Sequence, residues 1–150
     1  MNLNKSISSD IIDVKLKNLK WLSTVYPNNP KLEIELLKNS IEILKKDKRK
    51  KALITHYQFI ASLMPDYITS PNKYTHYGIS SPKKDNMYFE IYKKFFINQI
   101  VKNDIEIIYT IKPLEKNIFT SLINEDCINT KKINGILEGH LIHKCNDLKY

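Results

Sequence analysis

Residues 105–111, Ile-Glu-Ile-Ile-Tyr-Thr-Ile, constrain the fold more than any other stretch. The run is β-branched and nearly continuously apolar, so it reads as a strand buried on both faces, as in a sheet covered by helices. A second such run, residues 51–57, follows a cluster of lysines and emerges at His56, Tyr57 and Gln58. Between them, residues 87–102 carry Phe89, Tyr92, Phe96 and Ile100 at helical spacing, with Tyr88, Ile91 and Phe95 widening the face. Asp85 is a cap for this helix and Asn103 a stop. Strand, helix, strand predicts that 51–57 and 105–111 are adjacent parallel strands at the centre of a sheet, with helix 87–102 crossing between them.

The rest of the chain is read around this unit. Residues 1–18 form a polar lead-in, frayed at its start, and 19–150 a single α/β domain. Trp21, the only tryptophan, packs the lead-in onto the domain. Asn29 caps a helix over 30–46 with Pro30 at its first position, and Ile34, Leu37, Ile41 and Leu44 make its inner face. Lys45 to Lys51 holds six basic residues and Asp47 and reads as a solvated helix end. A helical turn follows at 59–64, then a long connection over 65–86, of the length that often carries function. Residues 114–124 read as a helix with Leu114, Ile118, Leu122 and Ile123 inward. A short helix is expected at 131–138, with Gly139 past its end, before a last strand from His140 to Lys144. The sum is a small Rossmann-like three-layer α/β domain with a mostly parallel sheet.

Composition limits the functional classes. With only three glycines, a glycine-rich phosphate loop is disfavoured, and neither GxGxxG, a P-loop nor GxSxG is present. The net charge of +8 comes almost entirely from lysine, with Arg49 the only arginine. Bidentate reading of bases or phosphates favours arginine, so nucleic acid is not an expected partner. No run of eighteen apolar residues is present, and Met1 to Asp10 lacks the apolar segment of a signal peptide. Cys127 and Cys145 are too far apart for a CxxC motif and are read as two buried thiols or one disulfide.

In an α/β sheet of this kind, ligands bind beyond the carboxyl ends of the strands. Those ends carry Thr55, His56, Tyr57 and Gln58 from one strand and Thr110 and Lys112 from the other. The candidate binding residues are Thr55, His56, Gln58, Tyr74 and His76, expected to line one concavity. His140 and His143, three apart on a strand, point to opposite faces and do not form a metal pair. No catalytic residue, metal or cofactor is expected.

Several strings together carry a resemblance: Leu19-Lys20-Trp21-Leu22, Tyr26-Pro27, Ile54-Thr55-His56-Tyr57-Gln58-Phe59, Ser70-Pro71-Asn72, Tyr88 through Phe96, Ile107-Ile108-Tyr109, and the two cysteines. Over about residues 19–145 the chain resembles the soluble C-terminal domain that follows the membrane helices of bacterial proteins similar to lipid-linked-sugar (GT-C type) glycosyltransferases. At His56 that family usually carries aspartate. The resemblance implies a non-catalytic accessory or binding domain on the extracytoplasmic (periplasmic) side, either a fragment or a free-standing relative. Its partners would be the membrane-spanning portion of such a protein and a glycan or lipid-linked sugar. It also favours a disulfide between Cys127 and Cys145. Outside the resemblance, the chain reads as cytoplasmic. Two other readings are an independent Rossmann-like enzyme with a strand-end pocket and a basic module binding an anionic polymer.

Overall fold

A computed structural model describes residues 6–23, 25–66, 68–70, 81–114, 117–143 and 145. Helix α1 (Pro30–Lys46) begins where the sequence signals it, with the Asn29 side chain accepting the Leu32 N–H at 3.3 Å and Pro30 at the first position. Ile34, Leu37, Ile41 and Leu44 recur every three or four residues and are all buried. They pack with Leu53, Ile107, Tyr109, Ile111 and Leu137 on one face of the sheet. The opposite face is covered by helix α3 (Phe89–Lys102), whose Phe89, Phe96 and Ile100 join Ala52, Ile54 and Ile108. Successive residues of a strand point to opposite faces, which is how Leu53 and Ile54, or Ile107 and Ile108, serve two separate cores.

Strands β3 (Lys51–Thr55) and β4 (Ile107–Ile111) are fully buried and pair in parallel, as their apolar runs predict. Helix α3 lies in the connection between them, after the short helix α2 (Phe59–Leu63). The helix α3 ends in a tight turn back to the sheet. The Ile105 N–H bonds the Ile100 carbonyl and the Asp104 N–H the Val101 carbonyl, both at 3.0 Å, with Asp104 at φ 48°. On its outer side β3 is flanked by residues 68–70, where the Leu53 N–H reaches the Thr69 carbonyl at 3.0 Å.

Beyond β4 the structure departs from the sequence reading. Residues 131–138 are not a helix. Strands β5 (Ile128–Lys132) and β6 (Leu137–Ile142) form a hairpin, and β6 pairs antiparallel with β4, giving the order β3-β4-β6-β5. The turn chemistry explains it. The Asn134 side-chain oxygen accepts the Ile136 and Leu137 N–H groups at 2.9 and 2.8 Å, and the Ile133 N–H bonds the Leu137 carbonyl. A turn this short can only return the chain antiparallel, since a parallel return needs a crossover of about a dozen residues or more. The domain is therefore a small α+β fold with a mixed sheet, one parallel pair and two antiparallel. It is not a Rossmann-like domain with a mostly parallel sheet. The expected helix at 114–124 likewise shrinks to α4 (Asn117–Thr120) and a single turn at Glu125–Cys127, although Ile118, Leu122 and Ile123 are buried as read.

Two ties close the chain onto the sheet. Strands β1 (Ile7–Ser8) and β2 (Lys20–Trp21) pair antiparallel, and Ile12 and Leu16 between them enter the α1 core. The Trp21 ring sits 5.8 Å from Tyr57 and 5.7 Å from Phe59, centroid to centroid. At the other end Cys127 and Cys145 form a disulfide, with Cα atoms 5.4 Å apart.

Candidate functional site

Strand register assembles the site. Thr130 on β5 lies directly opposite His140 on β6, and Thr110 on β4 is one diagonal step away, opposite Glu138. Cross-strand and diagonal neighbours on one face are within reach of each other. His140 accordingly sits between two hydroxyls: Nε2 is 2.9 Å from Thr110 Oγ1 and Nδ1 is 2.8 Å from Thr130 Oγ1. A neutral imidazole has one donor and one acceptor nitrogen, and rotatable hydroxyls satisfy both. The pair Lys112–Glu138, at 2.9 Å, stands beside it.

These residues line a cavity of about 750 Å³ over the β6–β5 half of the sheet. Ile54, Leu114, Ile118 and Ile128 form its apolar walls, while Asn129, Thr120 and His143 add polar groups. Its charged residues are balanced, Lys112 and Lys132 against Glu125 and Glu138. An apolar enclosure with a few convergent polar groups is the usual form of a ligand site.

Burial holds the pKa of His140 below the ordinary imidazole value, against the opposing pull of Glu138. Because the folded value is depressed, the associated stability is complete above about pH 6.5 and is lost as the pH falls below that. A second acid-sensitive group lies beside Tyr109, whose side chain is on the other face of the sheet. Burial disfavours the charge of Asp47, but hydrogen bonds from Arg49 and Tyr109 outweigh it and hold the carboxyl at about 2. Tyr109 donates to it at 2.6 Å, and the Arg49 guanidinium bonds both oxygens. This folded value too is depressed, so the stability it contributes is present above about pH 4 and is lost as the pH falls from there through 2. Urea denaturation as a function of pH is expected to show two steps of declining stability. Asp47→Asn is expected to shrink the lower step, to which Asp13 also contributes, and the imidazole NMR signal of His140 to stay in its neutral position below pH 6.5.

The structure places the sequence-predicted residues differently. Thr55 and Gln58 come together, but in building a turn: Thr55 Oγ1 accepts the Tyr57 N–H at 3.0 Å, and Gln58 Nε2 donates to the Thr55 carbonyl at 2.8 Å. His56 faces a second hollow with Tyr26, Pro113 and Ile136, which adjoins the cavity at Lys112 and Leu114. Tyr74 and His76 lie outside the described residues. Thr110 and Lys112, read from the sequence as strand-end residues, do line the larger cavity. His140 was singled out only as an unsuitable metal ligand. The missed signal is the period-2 placement of Glu138 and His140, which puts both on one face of a strand.

The basic run is largely internally compensated. Lys48, Arg49 and Lys50 are exposed as read, but Arg49 is engaged by Asp47 and Lys50 by Asp104 at 2.8 Å. Lys51 is buried, with Nζ on the Asp47 carbonyl at 2.6 Å, and Lys45 pairs with Asp13 at 3.1 Å. Among the described residues no group of three His, Cys, Asp or Glu side chains is placed to hold a metal ion, and no helix is long and apolar enough to cross a membrane. Comparison with protein-family models, with curated proteins and with solved structures finds no match for this chain.

Proposed function

We propose that this chain is a non-catalytic binding domain, and that the cavity over β5–β6, walled by Ile54, Leu114, Ile118 and Ile128, holds a sugar unit of a glycan or lipid-linked glycan. The observation that carries the reading is the lining. Two threonine hydroxyls and a neutral histidine converge on a cavity with aliphatic walls. A sugar offers hydroxyls to the first set and C–H faces to the second. The balanced lysines and glutamates favour a neutral polyhydroxyl ligand over a polyanion, which would want an uncompensated cationic site. The two hydroxyls bonded to His140 occupy both ring nitrogens, which suits a scaffold more than a proton carrier. The disulfide supports a working place outside the cytoplasm, where such bonds persist. Under this reading the domain presents glycan to the membrane-spanning portion of a glycosyltransferase-like protein.

Calorimetric titration with a panel of neutral and acidic oligosaccharides tests it. Saturable binding of a neutral member is expected, weakened about tenfold, or ~1.4 kcal/mol, by Thr130→Val, which keeps the shape and removes a hydroxyl. Absence of saturable binding across the panel would refute the sugar assignment. Preference for the acidic members would refute the charge argument.

A further inference from the structure

Helix α3 has two apolar faces, and only one is used by the core. Phe89, Phe96 and Ile100 are buried against the sheet. On the outer side Ile91 and Phe95, four residues apart in the helix, share one face, and the exposed Met87 and Tyr88 stand just before its first turn. Met87 is 81% exposed and Ile91 69%. Isolated apolar residues on a surface are ordinary, but a contiguous stripe of large ones marks an interaction site.

Its surroundings indicate the occupant. Exposed Lys83 and Lys84 stand in the turn leading into the helix, Lys94 is beside the stripe, and Lys102 ends it. Residues 83–102 carry five lysines against Asp85 and Glu90, in a chain of net charge +8. An apolar face rimmed by lysines matches the boundary between anionic headgroups and acyl chains. A second copy of the same face would set lysines against lysines, which works against self-association.

We propose that the outer face of α3 docks this domain on an anionic bilayer, with Met87, Ile91 and Phe95 entering the headgroup–acyl boundary and the lysines facing lipid phosphates. Helix α3 lies on the same side of the sheet as the cavity, so docking brings that side towards the lipid. The inference stands on the α3 surface alone, and failure of the sugar reading would leave it untouched.

Co-sedimentation with large vesicles tests it, using phosphatidylcholine alone and phosphatidylcholine mixed with phosphatidylglycerol. Binding is expected only to the mixed vesicles and is expected to fall as salt is raised. The pair Ile91→Ser with Phe95→Ser, and separately the triple Lys83→Gln, Lys84→Gln, Lys94→Gln, should each weaken it about tenfold or more. All five side chains are exposed, so far-UV circular dichroism and the melting midpoint should be unchanged. No binding to either vesicle would overturn the proposal, as would equal binding by the wild type and the Ile91/Phe95 variant. A dimer seen by light scattering and abolished by the same two substitutions would identify a second copy as the occupant and overturn it equally.

Discussion

Replacing Glu33 by alanine is expected to lower the unfolding free energy by about 3 kcal/mol, because it strips a buried carboxylate from two side-chain donors. Glu33 is 1% exposed in the first turn of α1. Tyr57 donates its hydroxyl to Oε1 at 2.6 Å and Trp21 its indole N–H to Oε2 at 3.1 Å. One side chain therefore joins α1, the turn after β3 and strand β2. The helix N-terminus favours its negative charge, and burial together with Glu33 pushes the Tyr57 phenol far above its ordinary pKa, keeping it a donor. Hydrogen bonds to charged groups contribute about 1.5–3 kcal/mol each, and the desolvation of the carboxylate offsets part of that sum. Tyr57→Phe should cost about 2 kcal/mol, and a double-mutant cycle should show coupling above about 1 kcal/mol. Trp21, the only tryptophan, gives a direct readout, since its emission should shift to the red when Glu33 is removed. A change in stability below about 0.5 kcal/mol would mean that the N-terminal strands are held by packing alone.

Loss of the disulfide should have a comparable effect by a different route. Cys127 and Cys145 are 18 residues apart, and closing a loop of that length restricts the unfolded chain by about 3 kcal/mol in the chain-entropy model. Cys127 is buried with Ile118, Leu122 and Ile123, and its carbonyl accepts the His143 N–H at 2.8 Å. The bond thus pins the end of β6 beside the start of β5, along one boundary of the cavity. Cys127→Ala with Cys145→Ala is expected to lose about 3 kcal/mol in urea denaturation and to become insensitive to reductant. A wild-type midpoint that does not move on reduction would show that the bond adds nothing to the fold.

The parts of this fold written in local sequence were legible. The cap at Asn29, the stripe Ile34–Leu37–Ile41–Leu44 and the two β-branched runs placed α1, β3 and β4, and with them the parallel pair. The antiparallel half was misread at Asn134-Gly135. That dipeptide between β-forming stretches is a strong hairpin signal, and Gly139, read as the stop of a helix over 131–138, lies inside β6. A parallel sheet directs attention to strand ends and hence to Thr55, His56 and Gln58, of which Thr55 and Gln58 build a turn. A mixed sheet instead leaves an open face over β5 and β6, where Thr110, Thr130 and His140 converge. No spacing along the chain links Thr110 to His140, because only the β4–β6 register brings them together. Glu33 and Asp47 were unreadable for a related reason: a carboxylate near a helix end is ordinarily solvated, and its burial depends on partners 24 and 62 residues away.

The central claim is that the cavity over β5 and β6 receives a neutral sugar, and amide-resolved NMR titration with the oligosaccharide panel tests it most directly. Saturable shifts are expected to cluster at Thr110, Asn129, Thr130 and His140, with the α1 face of the sheet unmoved. Shifts confined to His56 and the strand-end turn, or none at any residue lining the cavity at saturating sugar, would contradict it.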